Sequence, residues 1–421
     1  MKLSEIIDVF ITGDWGNESP SIEAPHAVSC VRGADIVPIS NNEFANIPLR
    51  YVSDRSFQQK LLQVGDIVIE KSGGSPTQST GRAVYISQTL LSASKEVVCS
   101  NFCVAFRVKD GWNPYFIYQY WQYLYNSGVF FNFEGKTSGI KNLQLDIALS
   151  TIEIEPYPIQ KQISIANCLE TFDKKLSINR AINHNLEAMA KQLYDYWFVQ
   201  FDFPDKNRKP YKSSGGTMTY NENLKRYIPE GWNDGIFADI ANITMGQSPN
   251  SSSYNETGEG EVFYQGSTDF GIRFPSVRMY TTSPTRLAKQ GDVLMSVRAP
   301  VGAVNIANTD CCIGRGLSAI NSKIRSITYT YYVVHYLKVR FDNLNSAGTT
   351  FGSITKDDLF NLPVIIPPSE IVEQFEKVCN PIFDKQMKIG FEIESLSKQR
   401  DELLPLLMNG QVSVNYDLAN D

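Results

Sequence analysis

An internal duplication constrains the fold of this chain of 421 residues more than any other feature. Three pairs of segments match in the same order along the chain: 65–69 with 291–295, 135–139 with 348–352, and 172–174 with 383–385. Similarity that recurs in a fixed order is the sequence signature of a repeated architecture. We therefore predict a tandem repeat of two similar halves that differ in loop length.

Each half begins with a mixed segment and ends with a long helical one. Short apolar runs at 83–86, 97–108 and 301–306 are separated by clusters of Gly, Pro, Ser and Asn, which is typical of strands. Aromatic stretches at 114–125 and 329–338 read as helices. With 42% apolar residues the chain can bury a real interior. We predict an α+β fold with two mixed α/β domains in a pseudo-two-fold repeat.

Both helical segments carry apolar residues at alternating steps of four and three, which is the heptad seam of a coiled coil. Asn179 and Asn183 in the first seam would cost stability but could fix the register. Pro381 predicts a kink in the second helix. One such helix alone would pack on its own domain, but one per repeat favours an antiparallel pair. The predicted seam residues are Ile165, Leu169, Phe172, Leu176, Asn179, Asn183, Leu186, Ala190, Leu193 and Trp197, then Ile371, Phe375, Val378, Ile382, Ile389, Ile393, Leu396, Leu403 and Leu407.

The repeat and its composition shifts also predict domain boundaries. The stretch 201–218 is rich in Pro, Lys, Ser and Gly and has the composition of a linker. The predicted parts are a first mixed domain at 1–155, a first helical spacer at 156–200, the linker at 201–218, a second mixed domain at 219–367, a second spacer at 368–412 and a tail at 413–421.

The net charge of −6, from 39 basic and 45 acidic residues, gives no overall basic field of the kind typical of nucleic-acid binders. The excess acid lies in residues 367–421, which carry 10 acidic and 5 basic residues. The mixed domains are nearly neutral and can hold local basic patches. The first residues contain no apolar signal segment, and no apolar stretch approaches the length of about 18 residues that a span needs, so we expect a cytoplasmic protein.

Catalytic and metal-binding motifs are missing. Residues 135–137 (GKT) end like a phosphate-binding loop, but Phe130 stands where that loop requires a glycine. The segment 366–369 (IPPS) lacks the polar residue and the aromatic that flank the proline pair of a methyltransferase loop. The seven cysteines are scattered and odd in number, so we expect reduced thiols and no metal. We expect no enzyme activity and no cofactor in this chain.

Loops that combine Gly or Ser with a basic residue recur in both halves. Glycine lets the backbone approach a phosphate, and arginine can fork onto guanine in the major groove. Any one of these loops alone would be an ordinary solvated turn, and their recurrence gives them weight. They are 71–74, 81–82, 135–138, 298–300 and 314–316.

In this order, the motifs of the chain resemble those of the specificity subunit of Type I restriction-modification systems over nearly its whole length. The motifs that carry the resemblance are 13–16 (GDWG), 31–35 (VRGAD), 228–232 (IPEGW), 291–302 (GDVLMSVRAPVG), the loop after Gly348 and the ending 400–411 (RDELLPLLMNGQ). The resemblance implies two target-recognition domains that each read one half of a bipartite, asymmetric DNA site. Its implied partners are double-stranded DNA, two methyltransferase (modification) subunits and motor-nuclease (restriction) subunits, which would bind the methyl donor and the nucleotide.

The paired helices would then act as a ruler. About 35 helical residues at 1.5 Å each span on the order of 50 Å, against roughly 34 Å per duplex turn, so the half-sites should lie about one to one and a half turns apart. Lysines should mainly grip phosphate, and arginines are the better candidates for reading bases. The expected DNA contacts are Lys71, Arg82 and Lys136 in the first domain, Arg298, Arg315 and Lys356 in the second, and Arg32 and Arg273 in support.

Two other functions fit parts of the sequence. A protein-interaction scaffold with two binding domains on a helical spacer is favoured by the acidic total. A fused restriction and methylation polypeptide would need nucleotide or methyl-donor motifs that the sequence lacks. The salt dependence of DNA binding distinguishes the protein-interaction scaffold from a DNA-binding subunit. Binding of labelled methyl donor to the isolated chain tests for the fused polypeptide.

Overall fold

The computed structural model describes residues 1–73, 78–94, 96–137, 140–346 and 352–414, with only the backbone at 136, 137, 140 and 339–346. The chain divides into two compact units. Unit 1 comprises Met1–Ile178 and the C-terminal segment from Ser395, and unit 2 comprises Asn179–Glu394. The division falls within the two long helices, so each of these helices contributes to both units.

Unit 1 is built on a four-stranded antiparallel sheet in the order β1-β8-β4-β6, with two three-stranded sheets in the orders β3-β2-β7 and β5-β10-β9. The strands are β1 Ile7–Thr12, β2 His26–Val31, β3 Leu49–Val52, β4 Ile67–Glu70, β5 Ser72–Gly73, β6 Ala83–Tyr85, β7 Val97–Cys99, β8 Cys103–Val108, β9 Glu134–Thr137 and β10 Ile140–Leu143. The helices are α1 Ile36–Ser40, α2 Asp54–Lys60, α3 Gln88–Ala93, α4 Pro114–Asn126 and α5 Leu145–Thr151.

The predicted aromatic helix of unit 1 is α4, and its sequence explains where it starts and what it covers. The Asn113 side chain accepts a hydrogen bond from the Phe116 N–H at 2.9 Å, and Pro114 occupies the first turn, where no N–H is needed. The Trp121 ring is buried, stacks on Phe130 at 4.5 Å, and donates its indole N–H to a backbone carbonyl. Burying such an aromatic stabilises the core by roughly 1.5–3 kcal/mol.

Unit 2 repeats the four-stranded sheet in the order β14-β22-β19-β20 and adds a five-stranded sheet in the order β15-β17-β16-β21-β18 and the pairs β11-β12 and β13-β23. The strands are β11 Met218–Asn221, β12 Arg226–Pro229, β13 Asn233–Ile236, β14 Ala241–Met245, β15 Tyr254–Asn255, β16 Glu261–Tyr264, β17 Tyr280–Thr281, β18 Leu287–Ala288, β19 Val293–Ser296, β20 Val304–Ile306, β21 Cys311–Ile313, β22 Leu317–Ser322 and β23 Pro363–Ile366. The shorter helices that lie wholly within this unit are α6 Phe237–Ile240, α7 Ile327–Ser346 and α8 Lys356–Phe360.

The strand register confirms the duplication predicted from the sequence. In unit 1, β8 pairs with β1 and β4, and in the same way β22 of unit 2 pairs with β14 and β19. The facing residues correspond pair by pair: Thr12 with Val104 and Ile67 with Phe106 in unit 1, Met245 with Ser318 and Val293 with Ile320 in unit 2. The matched segments 65–69 and 291–295 therefore lead into the same strand of the same sheet. The match of 135–139 with 348–352 lies partly outside the described residues.

The two predicted long helices are present as αL1, Ile159–Tyr194, and αL2, Ser369–Met408. In unit 1, the Asp173 carboxylate accepts a hydrogen bond from Arg400 at 2.9 Å, and Tyr157 contacts the Met408 carbonyl. In unit 2, Glu187 accepts from Gln386 at 2.8 Å, and the rings of Phe198 and Phe375 are 5.0 Å apart. Within each unit, the later a residue lies in αL1 or the segments that flank it, the nearer its contact lies to the start of αL2, so the pairing is antiparallel.

The first predicted seam is confirmed at most positions, and the second needs a correction. Ile165, Leu169, Leu176 and Ala190 of αL1 are buried. In αL2 the prediction is wrong at Val378, which is 50% exposed. The buried row there runs through Phe375, Cys379, Phe383 and Gln386, whose steps of four, four and three keep these side chains on one face. The helix continues unbroken through Pro381.

Candidate nucleic-acid interface

The clearest surface for a ligand in unit 2 is the end of the sheet where β14 stops and β22 starts. Gly246 follows β14, and the turn 314–316 precedes β22. A Cβ atom on Gly246 would lie 2.2 Å from the Gly314 carbonyl oxygen, so only glycine fits there. The Gly246 N–H donates to the Leu317 carbonyl at 2.9 Å, and the Gln247 N–H donates to the Ile313 carbonyl at 3.0 Å. The backbone of both turns is thus fixed while their tips are exposed.

Three of the expected DNA contacts lie on adjoining loops at this end, and we call Arg298, Arg315 and Lys356 the basic loop cluster. The Val297 N–H donates to the Gly316 carbonyl, and the Val297 carbonyl accepts from Ile354, both at 2.9 Å. The backbone of Arg298 forms an isolated antiparallel β-bridge with Ser353, and Lys356 begins α8. All three basic side chains are exposed. Within the described part of the chain, neither Arg298 nor Arg315 has a side-chain hydrogen bond or ion pair, so both guanidinium groups are available to a ligand.

Arg273 requires a correction. Only 6% of its surface is exposed, and its guanidinium lies 4.9 Å from the centre of the Tyr331 ring and 4.6 Å from that of Phe383. It donates a hydrogen bond to Glu187 of αL1 at 3.0 Å. A cation held between two rings and a carboxylate ties a loop of the mixed domain to αL1 and αL2. The expected contact of Arg273 with DNA is therefore incompatible with the structure.

Two of the expected contacts in unit 1 are engaged in bidentate ion pairs. Arg82 donates to both carboxylate oxygens of Glu70, at 2.8 and 2.7 Å, and Arg32 donates to both oxygens of Asp35, at 2.9 and 2.8 Å. These hydrogen bonds raise the pKa of both arginines. Glu70 and Asp35 are buried, so each arginine neutralises an interior charge. The exposed fraction of the side chain is 19% for Arg82 and 39% for Arg32, which leaves Arg32 the better placed of the two to reach a phosphate.

Lys71 is exposed immediately after β4, and it has no side-chain partner within the described residues. Its backbone N–H donates to the Phe102 carbonyl at 2.8 Å, which places Lys71 beside the turn ahead of β8. Lys136 lies in β9, but its side chain is outside the described residues. The candidate contacts of unit 1 are therefore fewer and less concentrated than the basic loop cluster of unit 2.

Uncharged polar side chains next to Arg315 escaped the sequence analysis, which looked for basic residues. The Ser248 hydroxyl accepts a hydrogen bond from the Arg315 N–H at 3.2 Å and another from the Gln265 amide at 3.0 Å. Gln247 and Gln265 are exposed, and a side-chain amide can read adenine. The available signal was the repeat itself, because Gly246 and Gln247 follow the same strand as Gly13 and Asp14.

The cysteines are free thiols. Burial raises the pKa of Cys30, Cys311 and Cys379 to about 12, so these thiols stay protonated and pack as small apolar groups. Among the residues that the structure describes, no group of three His, Cys, Asp or Glu side chains could hold a metal ion. None of the helices in that same part of the chain has the length and apolar character needed to cross a bilayer.

Comparisons with known proteins agree with this architecture. Residues 35–188 and 229–395 match the family model of the Type I restriction modification DNA specificity domain. The chain is 35% identical over 278 residues to the MjaX type I restriction enzyme specificity subunit of Methanocaldococcus jannaschii, a match that covers 63% of this chain and 60% of that protein. It is 26% identical over 406 residues to the MjaIX specificity subunit of the same organism, covering 91% and 88%.

A solved structure gives the same fold. The S subunit of a Type I restriction-modification system from M. genitalium superposes with a TM-score of 0.55 at 15% identity, covering 97% of this chain and 95% of that one. At this identity the likeness concerns the fold alone. The match to the MjaX subunit spans less than two thirds of that protein's length.

Proposed function

The chain belongs to the family of Type I restriction modification DNA specificity domains, and from that premise we propose that it is the non-catalytic subunit that selects DNA for a Type I restriction-modification enzyme. Each unit reads one half of a bipartite site. The observation that carries this proposal is the repeated sheet, which presents the same pair of turns once in each unit. Because the two units present different side chains from equivalent turns, they select two different half-sites, and the whole DNA site is asymmetric.

The basic loop cluster supplies the contacts of unit 2. Arg298 and Arg315 have the free, forked guanidinium groups that recognise guanine, whereas Lys356 presents a point charge suited to phosphate. In unit 1, Lys71 is the main phosphate contact, with Lys136 and Arg32 in support. We propose Arg82 only as a secondary contact, because its guanidinium is already committed to Glu70.

The long helices set the spacing between the half-sites in this proposal. αL1 has 36 residues and αL2 has 40. At about 1.5 Å per residue, helices of this length span on the order of 50–60 Å. At roughly 34 Å per turn of duplex, this length corresponds to about one and a half turns or slightly more, the upper end of the expected separation of one to one and a half turns.

The chemistry belongs to the partners. We propose that the chain assembles with two methyltransferase (modification) subunits and, in the restriction complex, with motor-nuclease subunits, and that it works in the cytoplasm, where the DNA is. The partners bind the methyl donor and the nucleotide. The role of this chain is positional: it grips the duplex, reads base edges and presents the target adenines for extrusion into the partner's pocket.

The experiment that tests the proposal is DNA binding by the assembled enzyme as a function of salt. A protein that neutralises six or more phosphates loses affinity by about a thousandfold between 50 and 200 mM salt. Duplexes taken from the host's methylated sites should bind more tightly than scrambled duplexes at every salt concentration. Binding that is absent, or equal for all duplexes, would instead support the protein-interaction scaffold.

A further inference from the structure

The internal repeat lets each residue of the sheet end in unit 2 be matched with one in unit 1, independently of sequence similarity. The first residue of β22 closes the preceding turn, since the Leu317 N–H donates to the Gly314 carbonyl at 3.0 Å. The first residue of β8 does the same, since the Cys103 N–H donates to the Ser100 carbonyl at 2.8 Å. The turn 100–102 in unit 1 therefore corresponds to the turn 314–316 in unit 2.

The turn that follows the first strand of each four-stranded sheet, at Gly13 in unit 1 and at Gly246 in unit 2, also corresponds between the units. A Cβ atom on Gly13 would lie 1.9 Å from the Ser100 carbonyl oxygen, just as one on Gly246 would lie 2.2 Å from Gly314. Asp14 follows Gly13, and its N–H donates to the Cys99 carbonyl at 2.7 Å. In the same way, the Gln247 N–H donates to the Ile313 carbonyl at 3.0 Å. The tip residue of the turn is then Arg315 in unit 2 and Asn101 in unit 1.

We infer that this shared tip position determines one base of each half-site, through Arg315 in unit 2 and Asn101 in unit 1. The inference rests on the proposed function. Both residues are exposed at the end of the central sheet strand. Their backbones are held by the turn, so the two units present different side chains from one common geometry.

The hydrogen bonds at the tip determine which base each residue can read. The Arg315 guanidinium has no partner among the described residues, so its two parallel N–H groups can pair with O6 and N7 of guanine. The Asn101 Oδ1 atom accepts a hydrogen bond from the Trp15 N–H at 3.2 Å. This contact occupies one of the two lone pairs of Oδ1 and disfavours the donor and acceptor pair that recognises adenine, whereas the Nδ2 group has no partner among the described residues and can donate to a base.

The residue next to Asn101 narrows the choice of base that unit 1 can read at this position. Phe102 is 57% exposed, whereas the corresponding residue of unit 2 is Gly316. Thymine offers an O4 acceptor beside a C5 methyl group in the major groove, which matches an amide donor beside an apolar ring. The geometry points to thymine as the base read by Asn101 and Phe102, and to guanine as the base read by Arg315.

The test uses the enzyme assembled from the full chain and its modification subunits, with duplex pools in which each half-site is randomised in turn. For Arg315→Asn we expect the preference for guanine at one position of one half-site to fall by about tenfold to a hundredfold, while the other half-site stays as in the wild type. For Asn101→Arg we expect a new preference for guanine at one position of the other half-site.

Arg325→Asn is the matched control. Arg325 is also exposed but follows the far end of β22, and its positive φ of 54° is a conformation that asparagine accepts readily. This variant should select the same bases as the wild type, and equal melting temperatures would establish that all three variants fold. If Arg315→Asn weakened binding to all duplexes alike, Arg315 would be a phosphate contact and the inference would be wrong. If the wild type itself selected no bases, the proposed function would fail instead.

Discussion

At the scale of single residues, a guanidinium group can read a base or cross-link a fold, and its immediate neighbours decide between the two. Arg315 lies between two glycines on a turn tip, where its side chain has no partner within the described residues. Arg273 is followed by Phe274 and is enclosed by Tyr331, Phe383 and Glu187. The first is free to act on a ligand, whereas the second stabilises unit 2.

Replacing Arg273 with alanine should therefore lower stability and leave base selection unchanged. The substitution removes two cation–π contacts and the ion pair with Glu187, which keeps only its hydrogen bond from Gln386 among the contacts described above. We expect the free energy of unfolding to fall by about 2–4 kcal/mol, somewhat less than for a fully buried pair because Glu187 is partly exposed. Urea denaturation followed by circular dichroism measures this change. A variant that kept its stability but bound all duplexes more weakly would restore Arg273 as a DNA contact.

Sequence reasoning at this scale finds the type of residue but not its partners. Glycines on both sides of Arg315 predicted an exposed turn, and the structure places it there. The same reasoning selected Arg82, because nothing in the sequence indicates that the buried Glu70 lies across the sheet edge from it. Pairing of this kind arises from strand register, which links residues far apart in the chain. Asn101 was missed because its significance depends on its match with Arg315.

At the scale of elements, αL2 contains a position where helix propensity and packing oppose each other. Gly390 lies in the interior of this helix, where glycine costs about 1 kcal/mol relative to alanine. A Cβ atom there would lie 2.6 Å from a ring carbon of Phe274, and the centre of that ring lies 4.7 Å from the centre of the Phe391 ring. Glycine is required because the ring occupies the space of the missing side chain.

Gly390→Ala should therefore destabilise unit 2, although propensity alone predicts the reverse. The added methyl group must displace a buried ring, and such overpacking costs about 1–3 kcal/mol. In a Phe274→Leu background the ring is absent, so the same substitution should be neutral or stabilising. Thermal unfolding of the two single variants and the double variant measures the coupling. Additive effects would contradict the contact between Gly390 and Phe274.

The two seams show how far periodicity predicts an element. In αL1 the heptad pattern identified the buried row, and apolar residues off that row, such as Ile163, Ile178 and Ile182, are exposed. In αL2, Val378 and Cys379 are adjacent apolar residues, and periodicity alone chose Val378. The structure buries Cys379, because Phe375, Phe383 and Gln386 define the face that packs. Tertiary contacts decide between two neighbouring candidates when the sequence offers both.

At the scale of the whole molecule, the tandem repeat was the most predictable property. The short motifs GDIVI and GDVLM contain the start of the same buried strand in both units. The strands that pair with it restrict its sequence. The boundaries between mixed domains and helical spacers stay a prediction. The compact units divide αL1 and αL2 between them, because each part of these helices packs with residues of its own unit.

The length of the long helices is the variable that should control the spacing of the half-sites. Inserting seven residues into αL1 after Ile178 and seven into αL2 after Glu394 keeps the heptad phase of both seams. Each insertion lengthens its helix by about 10 Å, which corresponds to roughly three base pairs of duplex.

Methylation of duplexes with graded spacers, by enzyme assembled with this variant, should then reach its maximum at a spacer about three base pairs longer than for the wild type. The half-site sequences themselves should stay the same, because the turns around Asn101 and Arg315 are untouched. A control with the insertion in αL1 alone breaks the pairing of αL1 with αL2 and should abolish activity at every spacer. An unchanged optimum in the double insertion would mean that the helices do not set the spacing.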